Sequence, residues 1–488
     1  MTHSNRRDFL LRSGQGLGGA ALAGLGLGAG FGGVNAAMAA DLAGQDIDPL
    51  ALKQPPLPAK IKSVIWLHQN GAPSSLDLYD YKPELQKLAG QPIPASFLKG
   101  IKTSTQGGVG KLFASNERSW KQYGESGAWF SNLLPNLAEH ADKLTFIKSS
   151  VTVGATHDIS ILKLNTGDLN PGRPSLGAWI TYALGSANPN LPPYVVLYNG
   201  IREPQGGSVN WSSGFLPAIY QGTAFRPGNS PILYIDGPEA RSASQEHEQL
   251  KLLNRLNQLS AARYPLDSEL RARLRSYDLA ERMQSAAPDA VDLSKETEAT
   301  KKLYGLDDAT SASYGETLLR ARRLVERGVR FVQVVTGAAP GDTTVGSWDA
   351  HSDIDHNHKQ MARLVDKPIA GLLADLKSRG LLDTTLVVWT SEFGRTSYSE
   401  SGNGRDHNPW GYTQWLAGGG LKAGFTYGET DEVGLQVADK EKGVDTYDLH
   451  ATVLQLMGLD HLKVTYLNNG RSERPTVVYG KVVKDILA

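Results

Sequence analysis

Cysteine is absent from this 488-residue chain. That excludes disulfides, thiolate metal sites, a cysteine nucleophile and iron–sulfur clusters, and it suits an oxidising compartment without assigning one. A dominant charge is also missing, since 50 Lys+Arg balance 50 Asp+Glu. No global basic field points to nucleic acid, and no acidic tail points to a solvating segment. Beyond the N-terminal stretch there is no long apolar run, so no membrane-spanning segment is expected in the mature chain. Internal repeats and the Gly-x-Ser-x-Gly elbow of serine hydrolases are missing as well. What is present, 40% hydrophobic and 20% charged residues, is ordinary globular material with enough apolar content for a core.

The N-terminus carries an address. Asn5-Arg6-Arg7-Asp8-Phe9-Leu10 is a paired-arginine motif, followed by a Gly/Ala/Leu-rich stretch from Leu17 to Phe31 and by Ala37-Met38-Ala39. This predicts a twin-arginine signal peptide over 1–39, the twin-arginine export machinery as a partner, and a periplasmic or secreted mature protein. Gly28, Gly30 and Gly33 have the spacing of a dinucleotide fingerprint, but no strand precedes them, so that reading is rejected. Residues 40–60, with Pro55, Pro56 and Pro58, read as a linker to one domain over 61–488.

Within that domain three apolar strands end in polar clusters. Ile61–His68 runs into Asn70-Gly71-Ala72-Pro73-Ser74-Ser75-Leu76-Asp77. Val329–Val335 leads to Trp348-Asp349-Ala350-His351, and Leu386–Thr390 leads to Ser391-Glu392-Phe393-Gly394-Arg395-Thr396. Further strands are predicted at 144–147, 194–198 and 476–480. Helices are predicted at 132–143, 174–184, about 358–379 and 448–457, and residues 243–327 are mainly helical. Open α/β sheets bind ligands at the carboxyl ends of their strands, so the three clusters are expected to rim one pocket. Carboxylates and imidazoles are ligands for divalent metals. Asp349, His351, Glu392 and His407 are therefore candidate ligands, with Asp406 orienting the His407 ring. Arg395 and Arg405 suit bidentate capture of an anionic ester oxygen, and Arg395 suits stabilisation of developing charge. Ordinary alternatives stand beside each: an internal Asp349–His351 hydrogen bond, a Glu392 ion pair with Arg395 or Arg405, a polar turn at 406–408, and surface salt bridges for the arginines. His356, His358 and His450 read as structural.

The Asn70–Asp77 loop, Gly172-Arg173-Pro174-Ser175-Leu176-Gly177, Arg322–Phe331, Trp348-Asp349-x-His351, Ser391–Thr396 and Gly404-Arg405-Asp406-His407-Asn408-Pro409 together resemble the exported bacterial family called domain of unknown function 1501. That family is similar to the alkaline phosphatase and sulfatase superfamily. The resemblance implies an α/β fold with a mostly parallel central sheet flanked by helices, and one or two divalent metals (Zn, Mn, Ca or Mg) at the strand ends. It also implies a metal-binding carboxylate on the first-strand loop, for which Asp77 stands, with Asn70 and Ser74 facing substrate. A nucleophile is implied near Thr156 and His157, where an ordinary loop hydroxyl is the alternative. Two departures are visible. No serine sits in a formylglycine context, so no formylglycine is expected. Glu392-Phe393 replaces the Asp-His or Asp-Asn pair of the superfamily. The expected function is an exported metal-dependent hydrolase of a small-molecule or glycan phosphate, sulfate or related ester. The alternative is a non-catalytic envelope binding or assembly protein that retains the fold.

Overall fold

The computed structural model describes residues 48–101, 108–200, 204–228, 230–232, 243–263, 268–339 and 346–488. The predicted signal peptide and its glycines lie outside these residues. Residues 48–60, expected as a linker, lie along the domain. Leu50 is buried, and the Lys53, Leu57 and Lys60 amides donate to the carbonyls of Leu184, Gly458 and Leu456.

The strands are β1 Ser63–His68, β2 Trp120–Tyr123, β3 Ala128–Ser131, β4 Thr145–Ser150, β5 Tyr194–Tyr198, β6 Thr223–Phe225, β7 Phe331–Val335, β8 Thr385–Thr390, β9 Gly394–Ser399, β10 Arg405–Asn408, β11 Tyr412–Gly418 and β12 Thr426–Tyr427. The longer helices are α1 His157–Thr166, α2 Leu176–Leu184, α3 Ala243–Arg263, α4 Ser268–Val291, α5 Ala312–Glu326, α6 Ile354–Ser378 and α7 Thr446–Leu456. Eight strands form the central sheet in the order β12-β4-β11-β8-β1-β7-β5-β6.

Every residue of β1, β5, β7 and β8 is buried, as expected for strands covered on both faces. Strand periodicity then sorts the side chains. Ile65 and Leu67 enter one apolar cluster with Leu318 of α5 and Leu372 of α6; Val64 and Trp66 enter the other with Ile180 of α2 and Val453 of α7. Each buried aliphatic side chain contributes about 1.5–3 kcal/mol of transfer free energy.

β1 pairs in parallel with both β7 and β8, so the predicted β7–α6–β8 crossover steps over β1. β11 runs antiparallel to β8 and to β4. Two reversals restore direction, so the carboxyl ends of β4, β8, β1 and β7 share one edge. The described chain is thus mixed α/β with a large, mostly parallel central sheet flanked by helices. Among the described residues no helix is long and apolar enough to cross a membrane.

Three local expectations are corrected. The helix predicted over 132–143 splits into a short α-turn, Pro135–Ala138, and a 3-10 turn, Ala141–Lys143. The buried Asp366 carboxylate accepts from the Asn136 and Leu137 amides and fixes the first turn there. Helix α6 starts earlier than predicted, because the Asp353 side chain caps it by accepting from the His356 amide. The strand predicted at 476–480 does not form, since Val477 takes a left-handed φ of 57° in a turn.

Candidate metal centre

Three segments deliver imidazoles and a carboxylate to the shared edge. His157 is the first residue of α1, after the loop that leaves β4. Asp349 and His351 lie between β7 and α6, where the Trp348 amide donates to the Asn70 carbonyl at 3.0 Å. His407 sits on β10, which returns beside β9 with His407 opposite Arg395. One ligand atom from each of His157, Asp349, His351 and His407 falls within 4.8 Å of all the others.

The ring nitrogens facing away from this point define its chemistry. His407 Nδ1 lies 2.6 Å from the Ala155 carbonyl, which can only accept, so Nδ1 carries the proton. His157 Nδ1 lies 2.6 Å from Glu392 Oε1, and His351 Nδ1 contacts Glu400 Oε2. Each outward nitrogen therefore donates to an oxygen, and each neutral ring turns an unprotonated Nε2 inward. There the nitrogens meet the Asp349 Oδ1 atom, 3.2 Å from His157 Nε2, 2.8 Å from His351 Nε2 and 3.4 Å from His407 Nε2. His351 Nε2 and His407 Nε2 are 3.0 Å apart. His157 Nε2 is buried and, although 3.2 Å from Asp349 Oδ1, is not aligned for a hydrogen bond.

Four acceptor atoms facing one another require a positive charge between them. A proton is the smallest. Burial pushes the His157 pKa down, yet its contacts with Asp349 and Glu392 outweigh that and raise it to about 9. His351 is raised as well, through Asp349 first. Burial alone would raise the Asp349 carboxyl, but three imidazoles and the Arg395 guanidinium hold it far below the carboxylate range. A divalent cation fits the same place. Ligand atoms about 2.0–2.1 Å from a tetrahedral ion lie roughly 3.3 Å from one another, close to the separations here. The residues present fit the group, and the outward hydrogen bonds are the orienting contacts that metal-binding histidines make.

Phe393 forms one wall, its ring centroid 5.0 Å from that of His157 and 4.5 Å from that of His407. Glu392 stands behind His157. Its carboxylate accepts from His157 Nδ1, from the Gly71 amide at 2.9 Å and from His68 Nε2 at 3.2 Å, and the two histidines hold it well below the usual carboxyl range against the opposing effect of burial. Glu392 was expected among the ligands; the structure places it one layer out. His407 is oriented by Ala155, while Asp406 accepts from the His407 backbone amide at 2.7 Å.

The other expected residues are placed as follows. Asp77 is buried away from the cluster, with Arg405 Nε at 2.9 Å, Ser74 Oγ at 2.5 Å and Arg118 Nε at 3.6 Å. Arg405 spends its remaining donors on the Thr396 and Phe113 carbonyls, and Ser74 donates its amide to His358 Nε2. Arg395 is also fully engaged, donating to Asp349 Oδ1 and to the Gly71, Ala72 and Arg405 carbonyls, so it positions Asp349. Neither arginine is available to an ester oxygen in this arrangement. Asn70 lies at the rim with its Oδ1 buried and unpartnered. Thr156 is exposed at the cap of α1 and makes no side-chain cap hydrogen bond. His450 Nε2 donates within the core to the Leu164 carbonyl oxygen at 2.9 Å.

A family model described as "Protein of unknown function (DUF1501)" matches residues 61–487. The chain belongs to that family. No curated protein matches this DUF1501 chain. Similar solved structures include the PsFucS1 sulfatase from Pseudoalteromonas sp., with 14% identity over 82% of this chain and 68% of that chain, TM-score 0.35. A TAB5 alkaline phosphatase mutant shares 13% identity over 83% of this chain and 99% of that chain, TM-score 0.33. An alkaline phosphatase superfamily protein from Vibrio parahaemolyticus shares 10% identity over 87% and 74%, TM-score 0.34.

Two residues of the DUF1501 site escaped sequence reasoning. His68 is the last residue of an otherwise apolar strand, and a terminal polar residue on a strand feeding the site was the signal available. Glu400 lies in a Ser-Glu-Ser turn that carries no signal by itself, and only the fold brings it to His351.

Proposed function

We propose that the protein is an exported hydrolase of phosphate, sulfate or related esters that depends on a divalent metal held by His157, Asp349, His351 and His407. The observation that carries this reading is the convergence of three imidazole nitrogens and one carboxylate oxygen with their lone pairs toward a common point. Three nitrogens and one oxygen suit zinc or another transition metal better than calcium or magnesium, which prefer oxygen. A divalent cation there supplies Lewis acidity toward an ester oxygen and toward water. The chain's own residues prepare for it. Glu392, Glu400 and Ala155 hold the rings in one tautomer, Arg395 fixes Asp349, and Phe393 keeps water off one side. Glu400 and Asp406 gather with His351 within 4.8 Å, so the outward side of the cluster is rich in carboxylates. Thr156 offers an exposed hydroxyl beside His157, and wild-type turnover by Thr156→Val would leave the attack to water.

Metal analysis paired with a broad ester screen on wild type and His351→Ala tests the proposal. About one divalent ion per chain and ester turnover are expected in the wild type, both lost in the variant. Stoichiometric metal without turnover on any ester would favour the non-catalytic envelope reading, which the full engagement of Arg395 and Arg405 supports. Protein purified without chelator that carries no metal and rebinds none would end the hydrolase reading.

A further inference from the structure

A cleft of about 1000 Å³ opens between α7 and the C-terminal segment, separate from the histidine cluster. Its floor is neutral: the buried Lys163 Nζ lies 2.8 Å from Asp445 Oδ2 and 4.9 Å from the centre of the Tyr447 ring. The Tyr447 ring packs at 4.9 Å and 34° against Tyr479, which is 59% exposed at the lip. Around this aromatic pair stand Lys440, Arg474, Lys481 and Lys484, and among the described residues none of the four has an ion-pair partner. Glu441, Asp448 and Asp485 line the same cleft, likewise without an ion pair among the described residues, and Asp448 accepts from the Lys481 backbone amide at 2.7 Å.

The lip is held in a conformation that the sequence resists. Val477 is β-branched yet has φ 57°, a region such residues rarely enter. It is held there by Arg474 Nε on its carbonyl at 2.5 Å and by the Tyr479 amide on Thr476 at 2.9 Å. The strained turn presents Tyr479 outward in place of the strand that Thr476-Val477-Val478-Tyr479 would otherwise form. Backbone strain of this kind persists where the surroundings over-determine it, and it clusters at ligand clamps.

We infer that this cleft binds an acidic polysaccharide. The three kinds of lining group call for three features in one ligand. An exposed tyrosine pair takes a flat, weakly polar ring face. Unpaired lysines and an arginine take anionic substituents. Carboxylates need hydroxyl donors. A sugar chain bearing sulfate or carboxylate groups has all three, and the cleft is large enough for several rings. A DNA backbone also meets the cations, but it brings no free sugar hydroxyls to donate to Glu441 and Asp485. The cleft also has a route to the candidate centre. Lys163 lies on α1, whose first residue is His157, roughly 9 Å along the helix axis. The inference stands whether or not the histidine cluster hydrolyses esters.

The test is calorimetric titration of the full mature protein with dextran sulfate, unsulfated dextran, inorganic sulfate and single-stranded oligothymidylate. Dextran sulfate is expected to bind at least tenfold more tightly than the other three, with an affinity that falls as salt rises. Tyr479→Ala, whose side chain is largely in solvent, is expected to melt like wild type and to lose at least tenfold in affinity. Lys481→Ala with Lys484→Ala is expected to flatten the salt dependence, and His351→Ala to bind as wild type. Wild-type affinity in Tyr479→Ala would overturn the inference. So would oligothymidylate binding as tightly as dextran sulfate, or a loss of binding confined to His351→Ala, which would put the anion at the histidine cluster.

Discussion

Asp77, in a single helical turn after β1, and Asp349, in the loop before α6, are two carboxylates at the same sheet edge, each touching an arginine, and their surroundings make opposite demands. Asp77 is fully buried and faces donors: against the opposing effect of burial, Arg405, Arg118 and the Ser74 hydroxyl hold it ionised, with Oδ2 bonded to Arg405 and Ser74 and Oδ1 3.6 Å from Arg118 Nε. Asp349 keeps 34% of its side chain exposed and faces three imidazole nitrogens that act as acceptors when neutral. A carboxylate surrounded by donors is a structural brace. A carboxylate surrounded by lone pairs, open to solvent on one side, calls for a cation.

The largest expected effect breaks the brace. Arg405→Ala leaves the Asp77 charge buried beside fewer partners, and breaking a buried pair this way costs about 3–5 kcal/mol. Denaturant unfolding should show that loss, while whatever folded protein remains still takes up metal. Wild-type stability in this variant would mean that Asp77 is not the brace described.

Removing an inward nitrogen has a different signature. His407→Ala should weaken metal binding by on the order of 100-fold, about 2.7 kcal/mol, and change the metal-free melting temperature little. Equal effects of the two substitutions on stability and on metal would erase the contrast between the two carboxylates.

Glu392→Gln is expected to act more mildly, because it alters a contact that orients His157 while leaving every inward atom in place. A loss of about 10–100-fold in metal affinity is typical of such orienting partners. Titrating metal into Glu392→Gln at fixed pH checks this.

Per pH unit, the dependence on pH is the smallest effect. In the metal-free protein His157 has a pKa raised to about 9, so below that value a metal ion must displace a proton. Metal affinity should rise by up to about tenfold per pH unit from pH 7 to 9. The stability linkage has the opposite sense. A raised folded-state pKa adds stability to the metal-free protein that is complete below about pH 6.5, the unfolded histidine value, and is lost as pH rises through 9. Melting of metal-free protein should therefore shift downward between pH 6.5 and 9.

How far the sequence reached follows from which residues are local in their logic. β1, β7 and β8 were legible because continuous apolar runs ending in breakers describe strands covered on both faces. Asp349, His351 and His407 were legible as ligand types, and His157 as a residue in the right place. The β9–β10 hairpin was hidden because Arg395, Thr396, Ser397, Arg405 and Asp406 are polar and buried, which erases the alternation that marks a strand. Asp77 looked like a ligand because its alternative, a pair with Arg405 more than three hundred positions away, is written only in the fold. At 476–480 strand propensity was real, and contacts from Arg474 and Thr476 overrode it.

The most direct measurement is metal content combined with X-ray absorption on protein prepared without chelator. About one divalent transition metal per chain, with a first shell of three imidazole nitrogens and one carboxylate oxygen that persists in Arg405→Lys and disappears in His407→Ala, is the predicted result. A protein that holds no such ion after reconstitution, or one whose metal is unchanged in His407→Ala, would contradict the account.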